Sequence, residues 1–114
     1  MVSKETEKKL AQLQLLEENL NHISMKKQEI QTEEFEIKNA LEELDKTSDI
    51  VYKIVGQIMI RTDKEDLKKE LEFSRETNEI KLKSIEKQES ILHEKIKIIQ
   101  ADVMELLKSE KKNE

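Results

Sequence analysis

Apolar residues recur at alternating spacings of three and four through the first part of the chain. With Leu13 at position a of a seven-residue repeat abcdefg, the seam positions a and d are mostly leucine and isoleucine, and two a positions, Lys27 and Glu34, are charged. A repeat of this period keeps one seam facing a partner helix as two helices supercoil. The pattern predicts a first coiled-coil helix over residues 1–46. Its apolar seam residues are Leu13, Leu16, Leu20, Ile23, Ile30, Ile37, Leu41 and Leu44.

A second helical pattern predicts a coiled-coil helix over residues 63–112. Its seam again holds one charged residue, Glu89, among apolar ones. Between Leu67 and Leu82 the spacing departs from a strict heptad, and Phe73 and Ile80 lie off the seam. Either a locally looser coiled coil or a bend would account for this stretch. The regular seam positions are Leu82, Ile85, Glu89, Leu92, Ile96, Ile99, Val103 and Leu106.

The two predicted helices have similar lengths, about 45 residues or 65 Å each at 1.5 Å per residue. If the chain reverses between them, residue i lies opposite a residue near 112 − i. Lys27 then comes within one helical turn of Glu89, and the two could pair inside the seam and fix an antiparallel register. Alternatively, both long side chains extend outward past the seam.

A break in the helical pattern occupies residues 50–61, which read IVYKIVGQIMIR. These residues are rich in Ile and Val, and Gly56-Gln57 sits between two β-type runs. A glycine in the first central position suits a two-residue type II′ turn. We therefore predict a β-hairpin over residues 50–62. Turn-forming residues at 45–49 end the first helix, and Thr62-Asp63-Lys64-Glu65 has the form of a capping box at the start of the second.

The predicted hairpin carries apolar residues on both faces. Two helices can cover at most part of one face, and a lone hairpin is marginal in water. The rest would leave an apolar surface with free strand edges, which monomers avoid. We therefore expect a mostly α fold, a long antiparallel two-helix coiled coil whose central β-hairpin joins an oligomeric β-barrel. The expected assembly residues are Ile50, Val51, Tyr52, Ile54, Val55, Gly56, Ile58, Met59 and Ile60.

Composition argues against several classes of function. Charged residues make up 41% of the chain, there are three aromatic residues and no cysteine, and the net charge is −5 with both signs interleaved. A buried enzyme pocket is hard to build from so few apolar residues, and no Gly-rich phosphate loop is present. No basic stripe indicates a nucleic-acid partner, and no apolar stretch indicates a membrane span or a signal peptide. We expect no enzyme activity, no cofactor, no metal site at His22 and His93, and a cytoplasmic location.

The central segment resembles a known family. LEELDK at 41–46 and VYKIVGQIMIRTDKEDLKKEL at 51–71 are similar to the β-class subunits of prefoldin, most of all the archaeal form. Tyr52-Lys53, Gly56 and the Thr62–Glu65 helix start stand where that family has them. The order helix, hairpin, helix matches over nearly the whole chain, which has room for one hairpin where α-class subunits carry two.

This resemblance implies an ATP-independent chaperone. Two α-class and four β-class chains would form a hexamer whose coiled coils hold unfolded proteins at their tips and pass them to a group II chaperonin. Both chain ends lie at the tips, where flexible apolar side chains suit varied clients. The alternative is a coiled-coil scaffold or adaptor protein with one defined partner and no chaperone activity. The expected client-binding residues are Leu10, Leu13, Leu15, Leu16, Ile99, Val103, Met104, Leu106 and Leu107.

Overall fold

The computed structural model describes residues 3–112 and contains two long helices joined by a β-hairpin. Helix α1 spans Lys4–Leu44, strand β1 spans Ile50–Val55, strand β2 spans Ile58–Asp63 and helix α2 spans Lys64–Lys112. The two strands pair antiparallel in a two-stranded sheet. The predicted combination of two long helices with a short central hairpin is therefore confirmed.

The ends of α1 are fixed by side-chain hydrogen bonds. At the start, Ser3 Oγ accepts a hydrogen bond from the backbone amide of Thr6 at 3.2 Å, the standard role of a helix N-cap. At the other end, the Thr47 hydroxyl donates to the carbonyl of Leu44 at 3.0 Å. The turn-forming residues after Leu44 therefore end α1, as predicted, although the last helical residue is 44 rather than 46.

The start of α2 differs from the prediction by one residue. Thr62 lies inside strand β2, where it is paired with Val51, so it does not cap the helix. The cap is Asp63, whose Oδ1 accepts a hydrogen bond from the backbone amide of Asp66 at 2.9 Å. This hydrogen bond lowers the pKa of the Asp63 carboxyl. The capping-box prediction was wrong because pairing with Val51 holds Thr62 in the strand.

The chain divides into two compact units. The terminal unit contains the described residues up to Lys27 and those from Ser84 onward, and its two helical segments run antiparallel. In this unit Lys9 pairs with Asp102, one residue from the partner that the 112 − i rule predicts. The seam continues one heptad beyond the predicted start, through Lys9 to the fully buried Thr6, while Leu10 is exposed.

The hairpin unit spans Gln28–Lys83. Its apolar core includes Ile37, Leu44 and Val51. On α2 of this unit the seam positions 71, 74, 78 and 82 are shielded, and the step from 78 to 82 is four residues where a strict heptad has three. The helix is continuous through this stretch, and two of these seam residues, Ser74 and Asn78, are polar. Asn78 is 3% exposed, and its Nδ2 has no hydrogen-bond partner among the described residues.

Candidate functional site

The hairpin presents two distinct faces, as the sequence predicts. The strand register places Val51 opposite Thr62 and Val55 opposite Ile58 on one face. It places Tyr52 opposite Arg61 on the other. Because side chains alternate along a strand, these pairs fix which residues share a face. The first face carries Val51, Val55, Ile58 and Ile60, and the second carries Ile50, Tyr52, Ile54 and Met59.

Most of the apolar surface of the hairpin is exposed. Val51 is buried, whereas Ile50, Tyr52, Ile54, Val55, Ile58, Met59 and Ile60 are exposed. The face that contains Val51 is held to α2 by Lys53, whose Nζ lies 3.1 Å from the carboxylate oxygens of Glu70. The sheet has two strands, so each strand has one outer edge without a strand partner among the described residues. Exposed apolar faces and open edges are the features through which strands from separate chains pair.

The turn of the hairpin depends on the backbone freedom of Gly56. Its φ is +63°, and no residue other than glycine has a positive φ in the described part of the chain. A positive φ at the first central residue and not at Gln57 is the type II′ pattern, which matches the twist of paired strands. A Cβ at position 56 would meet no atom within 4 Å, so the glycine is required for its conformation and not for space.

A polar cluster joins the two helices at the end of the terminal unit. The fully buried Thr6 donates from its hydroxyl to Glu110 Oε1 at 2.9 Å. The backbone amide of Ser3 donates to the same oxygen at 2.9 Å. Hydrogen bonding by the Ser3 side chain and by its amide lowers the pKa of the Glu110 carboxyl. No apolar residue in the sequence marks this cluster, although counting heptads back from Leu13 leads to Thr6.

The expected client-binding residues fall into two groups in the structure. Four of them lie off the seam or at its margin and are exposed, whereas Val103 is buried and the rest are half-buried in the seam. The exposed ones can contact another protein without any change in the helices. The half-buried ones offer only part of their surface unless the coiled coil opens. The exposed group is Leu10, Leu15, Met104 and Leu107, and the half-buried group is Leu13, Leu16, Ile99 and Leu106.

The charged seam residues of the terminal unit pair with each other. Lys27 Nζ donates to Glu89 Oε1 at 3.0 Å, and both side chains are largely shielded from solvent. This contact decides between the two alternatives left open by the sequence, because an outward orientation would separate the two charges. The pair satisfies an ammonium and a carboxylate that would otherwise be shielded without a partner.

Residues 3–112 contain neither a cluster suited to a metal ion nor a helix suited to crossing a membrane. No group of three or more His, Cys, Asp or Glu side chains is placed to hold a metal ion there. In the same range, neither helix contains a stretch apolar enough to cross a membrane. His22 and His93 are both exposed on the terminal unit.

Comparisons with known proteins agree with the geometry. The family model described as prefoldin subunit matches residues 7–110. The prefoldin subunit beta of Sulfurisphaera tokodaii is 36% identical over 105 residues, covering 90% of this chain and 84% of the relative. The one from Thermococcus onnurineus is 39% identical over 90 residues, covering 77% and 78%.

Solved structures give the same result. The crystal structure of the prefoldin beta subunit from Thermococcus strain KS-1 superposes with a TM-score of 0.80 at 33% identity. The match covers 92% of this chain and 94% of that one. The central segment, the single hairpin and the two helices are thus shared over nearly the full length, and the chain belongs to the prefoldin family, with beta subunits among its relatives.

Proposed function

We propose that the chain is the beta-type subunit of an ATP-independent chaperone that binds unfolded proteins and delivers them to a group II chaperonin in the cytoplasm. The family is one of chaperones. The observation that carries the finer proposal is the exposure of large apolar side chains, including Leu10, Met104 and Leu107, on the unit that contains both chain ends. Charged residues make up 41% of the chain, so exposed apolar side chains stand out against a mostly polar surface. Exposed apolar side chains suit contact with other proteins.

The strength of such a contact fits a chaperone that must release its client. Burying a few hundred Å² of apolar surface at ~25 cal/mol/Å² contributes several kcal/mol before the entropic losses of association. One subunit therefore binds a client weakly. Several subunits in one assembly bind it more tightly through their high effective concentration, without any change in the individual contacts.

The proposed assembly is a hexamer of two alpha-class and four beta-class chains, joined through their hairpins in a β-barrel. The exposed hairpin faces and the unpaired strand edges support it, because strand pairing between chains would satisfy both. Native mass spectrometry of this chain, with and without a two-hairpin alpha-class chain, tests the stoichiometry. A six-chain species in a 2:4 ratio is expected, and a stable monomer in both samples would contradict the assembly.

Client binding is tested separately by suppression of aggregation of a chemically unfolded protein, followed by light scattering. Replacing Leu10, Met104 and Leu107 by Gln is expected to abolish suppression while the oligomer remains intact. Deleting residues 1–12 together with 104–114 should have the same effect. The control is Phe73→Gln, an apolar position of the hairpin unit that is more exposed than any of the three. Full suppression by the triple variant would refute client capture by these residues and favour an adaptor role.

A further inference from the structure

A groove runs along one flank of the terminal unit. It consists of three depressions of about 440, 390 and 310 Å³ that involve successive heptads of both helices. Their residues repeat every seven positions: Glu5, Gln12 and Asn19 on α1, and Gln88, Lys95 and Asp102 on α2. Because residues seven apart lie on the same face of a helix, the three depressions follow one another on the same side. We call this surface the flank groove.

Two of the three depressions have apolar floors and walls. Leu15 and Ile98 line the middle one, and Ile91 lines the one farther from the chain ends. These three side chains are exposed although they lie beside a seam that is already filled. Ile91 and Ile98 are seven residues apart, so α2 has a second apolar row next to its seam residues Leu92 and Ile99. A helix with two adjacent apolar rows can pack against two neighbours.

The depression nearest the chain ends is acidic. Glu5, Asp102 and Glu105 line it together with Lys9, so three carboxylates stand against one ammonium. Lys9 is already paired with Asp102 at 3.4 Å. The middle depression carries the opposite charge in Lys95. The flank groove therefore favours a basic occupant at its chain-end side and disfavours one in the middle.

We propose that the flank groove binds an amphipathic helix of a client protein, with apolar residues one heptad apart and basic residues in the next heptad toward the chain ends. This deepens the function proposed above and rests on it. The apolar depressions repeat every seven helical residues, about 10.5 Å, which equals the i, i+7 repeat of a docked helix. Same-face residues of an extended strand repeat at about 6.6 Å and would not match. The groove is also lined by side chains of two helices, so it has no free strand edge for an extended peptide to pair with.

The test uses the full-length chain in its native oligomer and a labelled 18-residue amphipathic peptide. The peptide has Leu at heptad positions and three Lys in one terminal heptad; a second peptide has three Glu there. Fluorescence anisotropy gives Kd, and circular dichroism reports whether the peptide becomes helical on binding. The variants are Ile91→Gln and Ile98→Gln, and the matched control is Met25→Gln, since the three side chains are 55%, 59% and 56% exposed.

Each isoleucine substitution is expected to raise Kd for the Lys peptide about tenfold, and Met25→Gln less than about twofold. The Glu peptide should bind about threefold more weakly than the Lys peptide at low salt, and Glu5→Gln with Glu105→Gln should remove that difference. Equal effects of Met25→Gln and Ile98→Gln would overturn the proposal, as would binding of the peptide in a non-helical form. Aggregation suppression by the unmodified protein is measured in parallel: its absence refutes the proposed chaperone function, whereas the peptide affinities decide the flank groove.

Discussion

Lys27 and Glu89 form an ion pair within the helical seam, with Nζ 3.0 Å from Oε1. Each residue occupies a seam position of the heptad pattern, where most side chains are apolar. A shift of one helix by seven residues would place Lys27 opposite apolar residues and leave both charges unpaired in a shielded environment. The pair therefore favours one antiparallel register over its neighbours.

Replacing both residues by Leu should leave stability nearly unchanged but permit register slippage, whereas Lys27→Leu alone should destabilise the protein by about 1–2 kcal/mol, because it leaves a shielded carboxylate unpaired. Chemical denaturation measures the stability.

The register is measured by disulfide formation between introduced cysteines, which is unambiguous because the chain has no cysteine of its own. Ile23→Cys with Leu92→Cys, two residues that line one depression, reports the native register. Ile23→Cys with Ile85→Cys reports slippage by one heptad. If this second disulfide does not form in the double Leu variant, the ion pair does not set the register.

Replacing Ile54 by Asp should prevent oligomer formation without unfolding the chain. Ile54 is 72% exposed, so its substitution removes little packing within one subunit, but a carboxylate would be buried in any interface formed by that hairpin face. Sedimentation velocity measures the assembly and circular dichroism the helix content. Phe73→Asp is the control, since Phe73 is 71% exposed in the same unit but lies outside the hairpin. Normal assembly of the Ile54 variant would show that this face is not an interface.

Gly56→Ala should destabilise the hairpin by about 1 kcal/mol, because an L-residue at a φ of +63° is strained even where its Cβ has space. The expected readout is faster amide hydrogen exchange in residues 50–63 and weaker assembly. Gln57→Ala should have little effect, because its φ is not positive. A neutral result for Gly56→Ala would mean that the turn can adopt another type at no measurable cost.

Lowering the pH should loosen the end of the terminal unit through Glu110. Its pKa is lowered in the folded state by hydrogen bonds from Ser3 and Thr6. A carboxyl with a lowered folded pKa stabilises the fold above its unfolded pKa, about 4.3, and this contribution is lost as the pH falls through the folded pKa. The protection factors of the first turns of α1, which correct for the pH dependence of intrinsic amide exchange, should therefore fall as the pH is lowered below the unfolded pKa of about 4.3. Glu110→Gln should show low protection at every pH, and Glu7→Gln should behave like the unmodified protein.

The sequence was sufficient for the elements but not for every contact. The period of Leu and Ile residues predicts the two helices, and Gly56 with its β-branched neighbours predicts the hairpin and its faces. The cluster of Ser3, Thr6 and Glu110 was missed because small polar residues at seam positions give no apolar signal. Leu10 lies one position off the heptad register, and the seam position beside it belongs to Lys9, which pairs with Asp102. The exposed hairpin faces have no covering surface among the described residues, so contacts within this chain do not identify a partner for them.

The spacing of Ser74, Asn78, Leu82 and Ile85 limits how α2 can be redesigned. Two successive spacings of four, from Ser74 to Asn78 and from Asn78 to Leu82, amount to four extra residues in the heptad repeat. The heptad positions a to g on the two sides of this step are therefore out of phase. A frame that starts with Leu71 at position a reaches Leu92 and Ile99 as a positions, whereas the spacing of Glu89, Leu92 and Ile96 makes Leu92 a d position. Removing four residues at this step would restore one continuous heptad frame. It would also eliminate the layer in which Asn78 Nδ2 is buried with no hydrogen-bond partner among the described residues. A lengthened or shortened pair of helices can keep its native register only if whole heptads are added to or removed from both helices equally. The step at Asn78 must also be left in place.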